Sequence, residues 1–256
     1  MPADGSVEIA DLSLSDFLQP VLADLPAVCS TTLISLYKRN AQIGEDGIWY
    51  PIDGFTRITP QEGLELLRLA REQNGKSLLE VGLANGFSSQ FLLAALNFGG
   101  GRLISIDPYQ SSDWHGIGRR LANSTSNELA ADLGLNKALS FDCIEERSEW
   151  ALPQLIQKGE MFDLIFIDGY HRFDDVLIDV SLSARLCREG GLIVLHDLFL
   201  PSVRAVVGFL EVNRTDLQRL PSSCWNLAVF RRLGGDNRCW DHFVPFSSAG
   251  NNLLKI

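Results

Sequence analysis

The sequence has few basic residues for its acidic content. Its 256 residues include 22 lysines and arginines against 32 aspartates and glutamates, a formal net charge of −10 at pH 7. A chain of this charge repels the phosphate backbone of nucleic acids unless a local basic patch overrides it. The pairs at 119–120 and 231–232 are too small to form such a patch. We therefore expect no nucleic-acid partner.

Cysteine pairs, export signals and long apolar runs are also missing. The five cysteines are odd in number and widely spaced, and they include no CxxC pair, which is typical of reduced thiols inside a cell. The beginning of the sequence lacks the basic region, apolar core and cleavage site of a signal peptide. No apolar run approaches the length that spans a bilayer. These absences predict a cytoplasmic protein with no membrane partner.

The composition favours one large domain with terminal extensions. Hydrophobic residues make up 46% of the chain, and a chain of this length buries about three quarters of its unfolded surface. Helical patterns at about 12–25 and 31–40 precede an aromatic, glycine-punctuated loop, so residues 1–60 are interpreted as a helical cap. Residues 61–235 form the predicted main domain and 236–256 a tail. The apolar cap helices leave a homo-oligomer open.

The most informative segment is KSLLEVGLANGFSSQFLLAALN, residues 76–97. An apolar run typical of a strand covered on both faces leads into Gly82, a tight turn and Gly86, and apolar residues then recur at helical spacing. The first amides of such a helix lack partners and carry the positive end of its dipole, so they can receive polar groups of a ligand. The segment predicts a pocket for a nucleotide-like cofactor.

Helix and strand patterns alternate from residue 61 to about residue 200. Thr59, Pro60 and Glu62 provide the N-cap, first-turn proline and capping-box acid of a helix at 61–73. The alternation predicts an α/β fold with a parallel sheet and a site at the carboxyl ends of its strands. Beyond the segment at 76–97, strands are predicted at 102–107, 138–144, 162–168 and 191–197, helices at 117–133, 149–158, 173–187 and 203–212, and a terminal hairpin at 217–221 and 225–233.

Four motifs in this order, LLEVGLANG, LISID, FDLIFIDG and GGLIVLHD, resemble those of class I S-adenosylmethionine (SAM)-dependent methyltransferases. The resemblance covers residues 56–232 and is greatest to small-molecule O-methyltransferases of the catechol, caffeoyl-CoA and antibiotic-sugar types. It implies a Rossmann-like, doubly wound, mostly parallel seven-stranded sheet with a C-terminal antiparallel hairpin and an N-terminal helical cap. Ala84 departs from the motif, because the family commonly has a middle glycine there, which suggests a slightly different turn.

The resemblance also assigns cofactor-binding residues in the domain at 61–235. Asp107 matches the acid whose oxygens accept hydrogen bonds from the two ribose hydroxyls. Glu80 matches a residue that faces the amino group of the methionine part, directly or through water. Arg147 and Ser148 fall where the family contacts adenine, although a surface loop with a helix N-cap explains them equally well. The remaining implied contacts to SAM come from Gly82, Leu83, Ala84, Gly86, Ser88 and Asp168.

The reacting end of the site is predicted over two neighbouring strand ends. Asp168, His196 and Asp197 can converge there, and in the resembled enzymes these positions bind magnesium. His196 departs from that pattern, because imidazole suits manganese, zinc or iron better; a structural Asp–His pair is the alternative to a metal site.

His171 falls at the position of the catalytic lysine of catechol-type enzymes. Its ordinary pKa near 6.5 would leave it neutral and able to accept a proton, and Asp168 is assigned to catalysis with it.

These features predict methyl transfer from SAM to a hydroxyl of a small molecule, with a divalent metal as an optional assistant. Catechols, sugars of natural products and acyl-chain hydroxyls all fit the pattern. A lid with Trp49, Tyr50, Phe55 and Trp114 could hold the acceptor, although Trp49 and Phe55 could equally pack the cap. A noncatalytic cofactor-binding or assembly subunit remains an alternative, as does an NAD-dependent oxidoreductase, although GLANGF lacks the GxGxxG spacing.

Overall fold

A computed structural model describes residue 18 and residues 21–52, 54–133 and 138–247 of the chain. The predicted helix at 12–25 and the end of the predicted tail lie largely outside these residues. Within the described part, the helices are α1 (Ala27–Lys38), α2 (Pro60–Glu72), α3 (Phe87–Leu96), α4 (Ile117–Leu133), α5 (Ser148–Gln157), α6 (Phe173–Leu186) and α7 (Pro201–Asn213). The strands are β1 (Ala41–Ile43), β2 (Trp49–Pro51), β3 (Ser77–Val81), β4 (Gly101–Ile106), β5 (Leu139–Ile144), β6 (Phe162–Ile167), β7 (Cys187–Leu195), β8 (Leu217–Leu220) and β9 (Ala228–Arg232).

The larger sheet of the described residues contains seven strands in the order β5-β4-β3-β6-β7-β9-β8. Strands β3 to β7 run parallel, whereas β9 is antiparallel to both β7 and β8. This arrangement confirms the predicted α/β, doubly wound sheet with a C-terminal antiparallel hairpin. The chain builds the sheet outward from β3 through β4 and then returns to add β6 on the other side. Sheets of this kind bind ligands in the crevice at such a reversal.

The register of the parallel strands aligns their carboxyl ends. Val81 at the end of β3 pairs with Ile106 of β4 and with Ile167 of β6, and Ile167 pairs with Leu195 of β7. The residues that follow these strands therefore meet at one edge of the sheet. They are Gly82, Asp107, Asp168 and His196.

Two buried clusters cover the two faces of the sheet. Leu78 and Leu79 are neighbours in β3, yet they belong to different clusters, because successive side chains of a strand point to opposite faces. Both are 0% exposed, as the apolar run in this segment predicted. Leu33 of α1 belongs to the cluster that contains Leu78, so the described part of the cap packs into the same core as the sheet.

The structure corrects two details of the predicted elements. The aromatic loop of the cap contains a short antiparallel ribbon, β1–β2, in which Gln42 pairs with Tyr50. The helix predicted to run to residue 187 ends at Leu186, and β7 begins directly after it. Gly190 and Gly191 lie within β7 and do not precede it, because an irregularity of register opposite Phe162 and Leu164 accommodates the extra residues.

The predicted capping box of α2 is present. The Thr59 hydroxyl accepts a hydrogen bond from the Glu62 amide, and the Glu62 carboxylate accepts one from the Thr59 amide.

The polypeptide after β9 returns to α7, where the side chain of Asn213 exchanges two hydrogen bonds with the backbone of Val244. Among the helices of the described ranges, none has the length and apolarity needed to cross a membrane.

Candidate active site

A cavity of about 870 Å³ lies at the carboxyl edge of the sheet. Its walls come from the turn after β3, the loops after β4, β5, β6 and β7, the segment that precedes α2, and the loop between β8 and β9. The cavity therefore contains the predicted glycine turn at one side and the predicted reacting residues at another.

The turn between β3 and α3 depends on left-handed backbone conformations. Gly82 has φ +94, and a Cβ atom built on it would lie 2.1 Å from the carbonyl oxygen of Asp168, so a side chain does not fit there. Gly86 has φ +82 and is the N-cap of α3. Ala84 adopts φ +44, which an alanine reaches only with strain. The substituted position therefore keeps a tight turn.

Asp107 binds the backbone of this turn. Its Oδ2 atom accepts hydrogen bonds from the amides of Leu83 (3.2 Å) and Ala84 (2.7 Å) and from the Gln110 side chain (3.2 Å). Its Oδ1 atom accepts one from the Tyr109 amide at 2.9 Å, which leaves that oxygen a further lone pair. Asp107 lines the cavity, and its contact with a ribose stays a prediction.

Glu80 lies below the floor of the cavity and is 0% exposed. Its carboxylate accepts hydrogen bonds from Ser88 (2.5 Å), Ser89 (2.5 Å) and Ser105 (2.6 Å). Ser88 lines the cavity above it. Any effect of Glu80 on a ligand is therefore transmitted through Ser88 or another intermediary. Burial raises the pKa of Glu80 to about 7, although the three hydroxyls lower it.

We expect Glu80→Gln to remove part of the pH dependence of folding stability. A raised pKa means that the folded state holds this proton more tightly than the unfolded chain does. The associated stability is present below the unfolded pKa near 4.5 and is lost as pH rises through about 7. Urea unfolding should show that the free energy of unfolding falls between pH 5 and pH 8. This fall should be about 2–3 kcal/mol larger for the original chain than for the variant. Equal drops in the two proteins would contradict this assignment.

Arg147 and Ser148 lie at the start of α5 and line the cavity. The Arg147 side chain donates a hydrogen bond to Glu149 at 2.5 Å. Ser148 hydrogen-bonds with Asp179 of α6, whose pKa is raised to about 7 by burial. Both residues are thus positioned at the mouth of the crevice, and their contact with adenine stays a prediction.

Two histidines and two acids meet at the ends of β6 and β7. The Nδ1 atom of His196 lies 3.0 Å from Oδ1 of Asp168 and 3.1 Å from Oδ1 of Asp197. The Nε2 atom of His171 lies 3.0 Å from Oδ2 of Asp197 and 3.4 Å from Oδ1 of Asp168. Asp197 has φ +60, a strained conformation that often occurs at functional sites. The predicted convergence of Asp168, His196 and Asp197 is therefore present.

The electrostatics of this cluster favour ionised acids and protonated histidines. Burial opposes charge on His196 and His171, but the neighbouring carboxylates raise the pKa of His196 to about 11 and that of His171 to about 9. Burial likewise opposes charge on Asp168, but the two histidines lower its pKa to about 2. The expectation that His171 keeps its ordinary pKa is wrong for this geometry, because Asp168 and Asp197 stabilise its charged form.

The residues that can share a metal ion differ from the predicted set in one member. Ligand atoms of Asp168, His171 and Asp197 all lie within 4.8 Å of one another. His196 is 7% exposed; its Nδ1 atom contacts both acids, and its Nε2 atom lies 3.4 Å from Glu62. The structure thus places His171, and not His196, as the histidine of the candidate set. Two carboxylates and an imidazole fit manganese, iron or zinc better than magnesium.

The comparisons with known proteins agree with this geometry. Residues 79–198 match the family model described as a methyltransferase domain. A Mycolicibacterium smegmatis protein named "Putative O-methyltransferase" is 31% identical over 143 residues, which are 56% of this chain and 60% of that protein. The chain therefore spans about three fifths of the length of this curated relative.

Solved structures of methyltransferases resemble this fold. The O-methyltransferase TomG from Streptomyces achromogenes, involved in tomaymycin synthesis and solved with SAM, has a TM-score of 0.57 and 20% identity, over 87% of this chain and 96% of that one. The SAH-bound methyltransferase PaMTH1 from Podospora anserina has a TM-score of 0.58 and 18% identity, over 91% of this chain and 98% of that one. At these identities the likeness shows the fold alone.

Two residues outside the family match complete the cluster, and sequence analysis did not assign them to it. Glu62 of α2 approaches His196, and Asn226 donates a hydrogen bond to Glu62 at 2.9 Å. The side-chain amide of Asn226 also lies 3.3 Å from His196. The capping-box pattern identified Glu62 as a helix-start residue, and nothing in the sequence joined it to residues 134 and 164 positions further along the chain.

The aromatic residues of the predicted lid divide into two groups. Phe55 and Trp114 line the cavity at the carboxyl edge of the sheet. Trp49 and Tyr50 do not line it, and Tyr50 stacks on His115 at 3.5 Å between ring centroids. The expectation that Trp49 and Tyr50 clamp a ligand is therefore wrong for this structure. Four exposed aromatic residues that were not named for the lid also line the cavity: Tyr109, Tyr170, Phe199 and Trp225.

Proposed function

We propose that this chain is a SAM-dependent O-methyltransferase that acts on a hydroxyl group of a small molecule. The observation that carries the proposal is that one cavity contains both the glycine turn with Asp107 and the cluster of Asp168, His171 and Asp197. The first group has the form of a cofactor cradle, and the second can bind and deprotonate a hydroxyl. Neither group alone would distinguish this activity from other uses of the fold.

The turn and its neighbours hold the cofactor in this proposal. Gly82 lets the turn after β3 pack against the backbone of Asp168 at the cavity wall, and Asp107 offers its remaining Oδ1 lone pair to the ribose. Bound SAM supplies a methyl group already activated by its sulfonium. The chain then has to exclude water and align the acceptor oxygen with that methyl group. The further cofactor contacts in the proposal come from Leu83, Ala84, Gly86, Ser88, Arg147, Ser148 and Asp168.

His171 accepts the proton of the acceptor hydroxyl in this proposal. The two acids beside it raise its pKa to about 9, so it holds a proton at neutral pH until a positive charge neutralises those acids. Asp168 and Asp197 are the residues that would hold a divalent ion, and such an ion would polarise the hydroxyl. His196 and Glu62 orient the acids from behind.

The acceptor of this proposal has a flat or apolar surface next to its hydroxyl. Exposed aromatic side chains at the cavity, namely Tyr170 (59% exposed), Phe199 (52%) and Trp225 (69%), can pack against such a surface. The participation of TomG in tomaymycin synthesis supports a natural product of small size as the acceptor.

Calorimetric titration of the full chain tests cofactor and metal together. After chelator treatment, we expect SAM to bind at one site, NAD not to bind, and Mn²⁺ to bind with an affinity that Asp197→Asn lowers about tenfold or more. Asp175→Asn is the matched control, because Asp175 also lines the cavity but pairs with Arg172 at 2.7 Å. It should leave Mn²⁺ binding unchanged.

Each other result of the titration removes a specific part of the proposal. Binding of NAD without SAM would replace the methyltransferase with an oxidoreductase. Binding of SAM without Mn²⁺ would leave a metal-independent enzyme. Binding of SAM with no transfer to any hydroxylated acceptor, even with Mg²⁺ or Mn²⁺ supplied, would indicate a noncatalytic subunit.

A further inference from the structure

Arg57 differs from the other arginines that line the cavity. Arg147 is paired with Glu149 at 2.5 Å, and Arg172 is paired with Asp175 at 2.7 Å. Among the residues that the structure describes, Arg57 has no ion-pair partner, and its Nε atom is buried without a hydrogen-bond partner. A guanidinium of this kind at the wall of a cavity is available to an anionic ligand.

The position of Arg57 is set by elements on the glycine-turn side of the cavity. Its guanidinium lies 5.8 Å from the ring centroid of Phe87, the first residue of α3. The next residue along the chain, Ile58, is anchored through its carbonyl oxygen by the Tyr37 hydroxyl at 2.8 Å. Within the described part of the chain, Arg57 donates one hydrogen bond, to the carbonyl oxygen of Tyr37, and it is long at 3.4 Å. The guanidinium thus keeps most of its donors for another group.

The start of α3 adds to the attraction for an anion. The N-cap of α3, Gly86, has no side chain to satisfy the first amides of the helix. The positive end of the helix dipole and the Arg57 charge therefore face the same region of the cavity. The opposite region, at the ends of β6 and β7, has three carboxyl groups, including that of Glu62, against two imidazoles, so it is net acidic and favours positive charge. A ligand with a carboxylate at one end and a cationic centre beyond it matches this polarity.

We propose that Arg57 binds the α-carboxylate of the amino-acid part of the cofactor. This inference rests on the proposed function, because it assumes that SAM is the ligand of the cavity. The carboxylate would meet the guanidinium beside Phe87, and the ammonium and sulfonium groups would extend toward the acids of β6 and β7. Arg57 then acts as a specificity-determining residue, because it distinguishes the intact cofactor from analogues that lack the carboxylate.

A cycle of ligand and protein changes tests the inference by calorimetry on the full chain. SAM and decarboxylated SAM are titrated into the original protein, Arg57→Gln and Arg57→Lys. We expect Arg57→Gln to lower the affinity for SAM at least about tenfold. It should change the affinity for decarboxylated SAM less than about twofold. Arg57→Lys should keep part of the preference for SAM over decarboxylated SAM, because lysine retains the charge but not the paired donors of arginine. Arg172→Gln is the matched control, because Arg172 also lines the cavity but pairs with Asp175 at 2.7 Å; it should change the affinity for each ligand less than about twofold.

The outcomes separate this inference from the proposed function. Equal losses for both ligands in Arg57→Gln would show a structural role, and unchanged SAM affinity would show that Arg57 does not contact the cofactor; either result overturns the inference and leaves the proposed function intact. Failure of the original protein to bind SAM overturns both. If Arg57→Gln does not fold, the ligand preference of Arg57→Lys decides, and a preference equal to that of the original protein overturns the inference.

Discussion

Asp168→Asn should lower the turnover number about a thousandfold. The carboxylate of Asp168 faces both histidines, at 3.0 Å from His196 and 3.4 Å from His171, and it is one of three candidate metal ligands. The amide has nearly the same shape but no charge, so it weakens the binding of any cation and lowers the pKa of both histidines. Turnover is measured as S-adenosylhomocysteine release with a hydroxylated acceptor found by screening, and Mn²⁺ binding is measured by calorimetry.

Glu149→Gln is the control for this prediction. Glu149 also lines the cavity, but its partner is Arg147 and not the histidine cluster. We expect it to keep turnover within about threefold, as for a surface ion pair. Thermal unfolding of Asp168→Asn distinguishes lost chemistry from lost folding, since the buried charge of His196 then lacks one of its counterions. A folded Asp168→Asn with near-normal turnover would show that Asp168 takes no part in the reaction.

His171→Ala should lower turnover by at least about tenfold and leave SAM affinity nearly unchanged. The imidazole is the proton acceptor in the proposed reaction, and it lies at the cavity with its Nε2 atom 3.0 Å from Asp197. Since the acids raise its pKa to about 9, Asp197→Asn should lower the pKa of His171 in an NMR titration. Single-turnover kinetics and calorimetry measure the two effects of His171→Ala separately.

His242→Ala serves as the comparison for His171→Ala, because His242 does not line the cavity. It should leave both turnover and SAM affinity within about twofold, as for a substitution away from the site. Unchanged turnover in His171→Ala would exclude a base role. A matching loss of SAM affinity would instead indicate that His171 supports the cofactor.

The order of strands and the glycine turn could be predicted from the sequence because their signals are local. Apolar runs, Gly82 and Gly86, and the capping residues Thr59 and Glu62 each act within a few positions of the chain. The common end of the parallel strands followed from that order, since strand ends align at one edge of a sheet. The division of the chain at residues 60 and 235 stays a prediction, and the described cap shares a core with the sheet.

The partners within the cluster could not be predicted, because they join distant parts of the chain. Both histidines follow strands, and only the packing of α2 and the β8–β9 loop places Glu62 and Asn226 behind His196. His171 is the histidine whose ligand atom lies within reach of a position shared with Asp168 and Asp197.

The same distinction applies to charge and burial. The sequence sufficed to identify a strand, a glycine turn and a helix that form a cradle, because local backbone geometry depends on nearby residues. The folded chain was required for the pKa values of Glu80, His171 and His196, and for the finding that Arg57 has no ion-pair partner among the described residues. A pKa depends on desolvation and on charges within a few ångströms, and those neighbours are brought together only when the sheet and its helices pack.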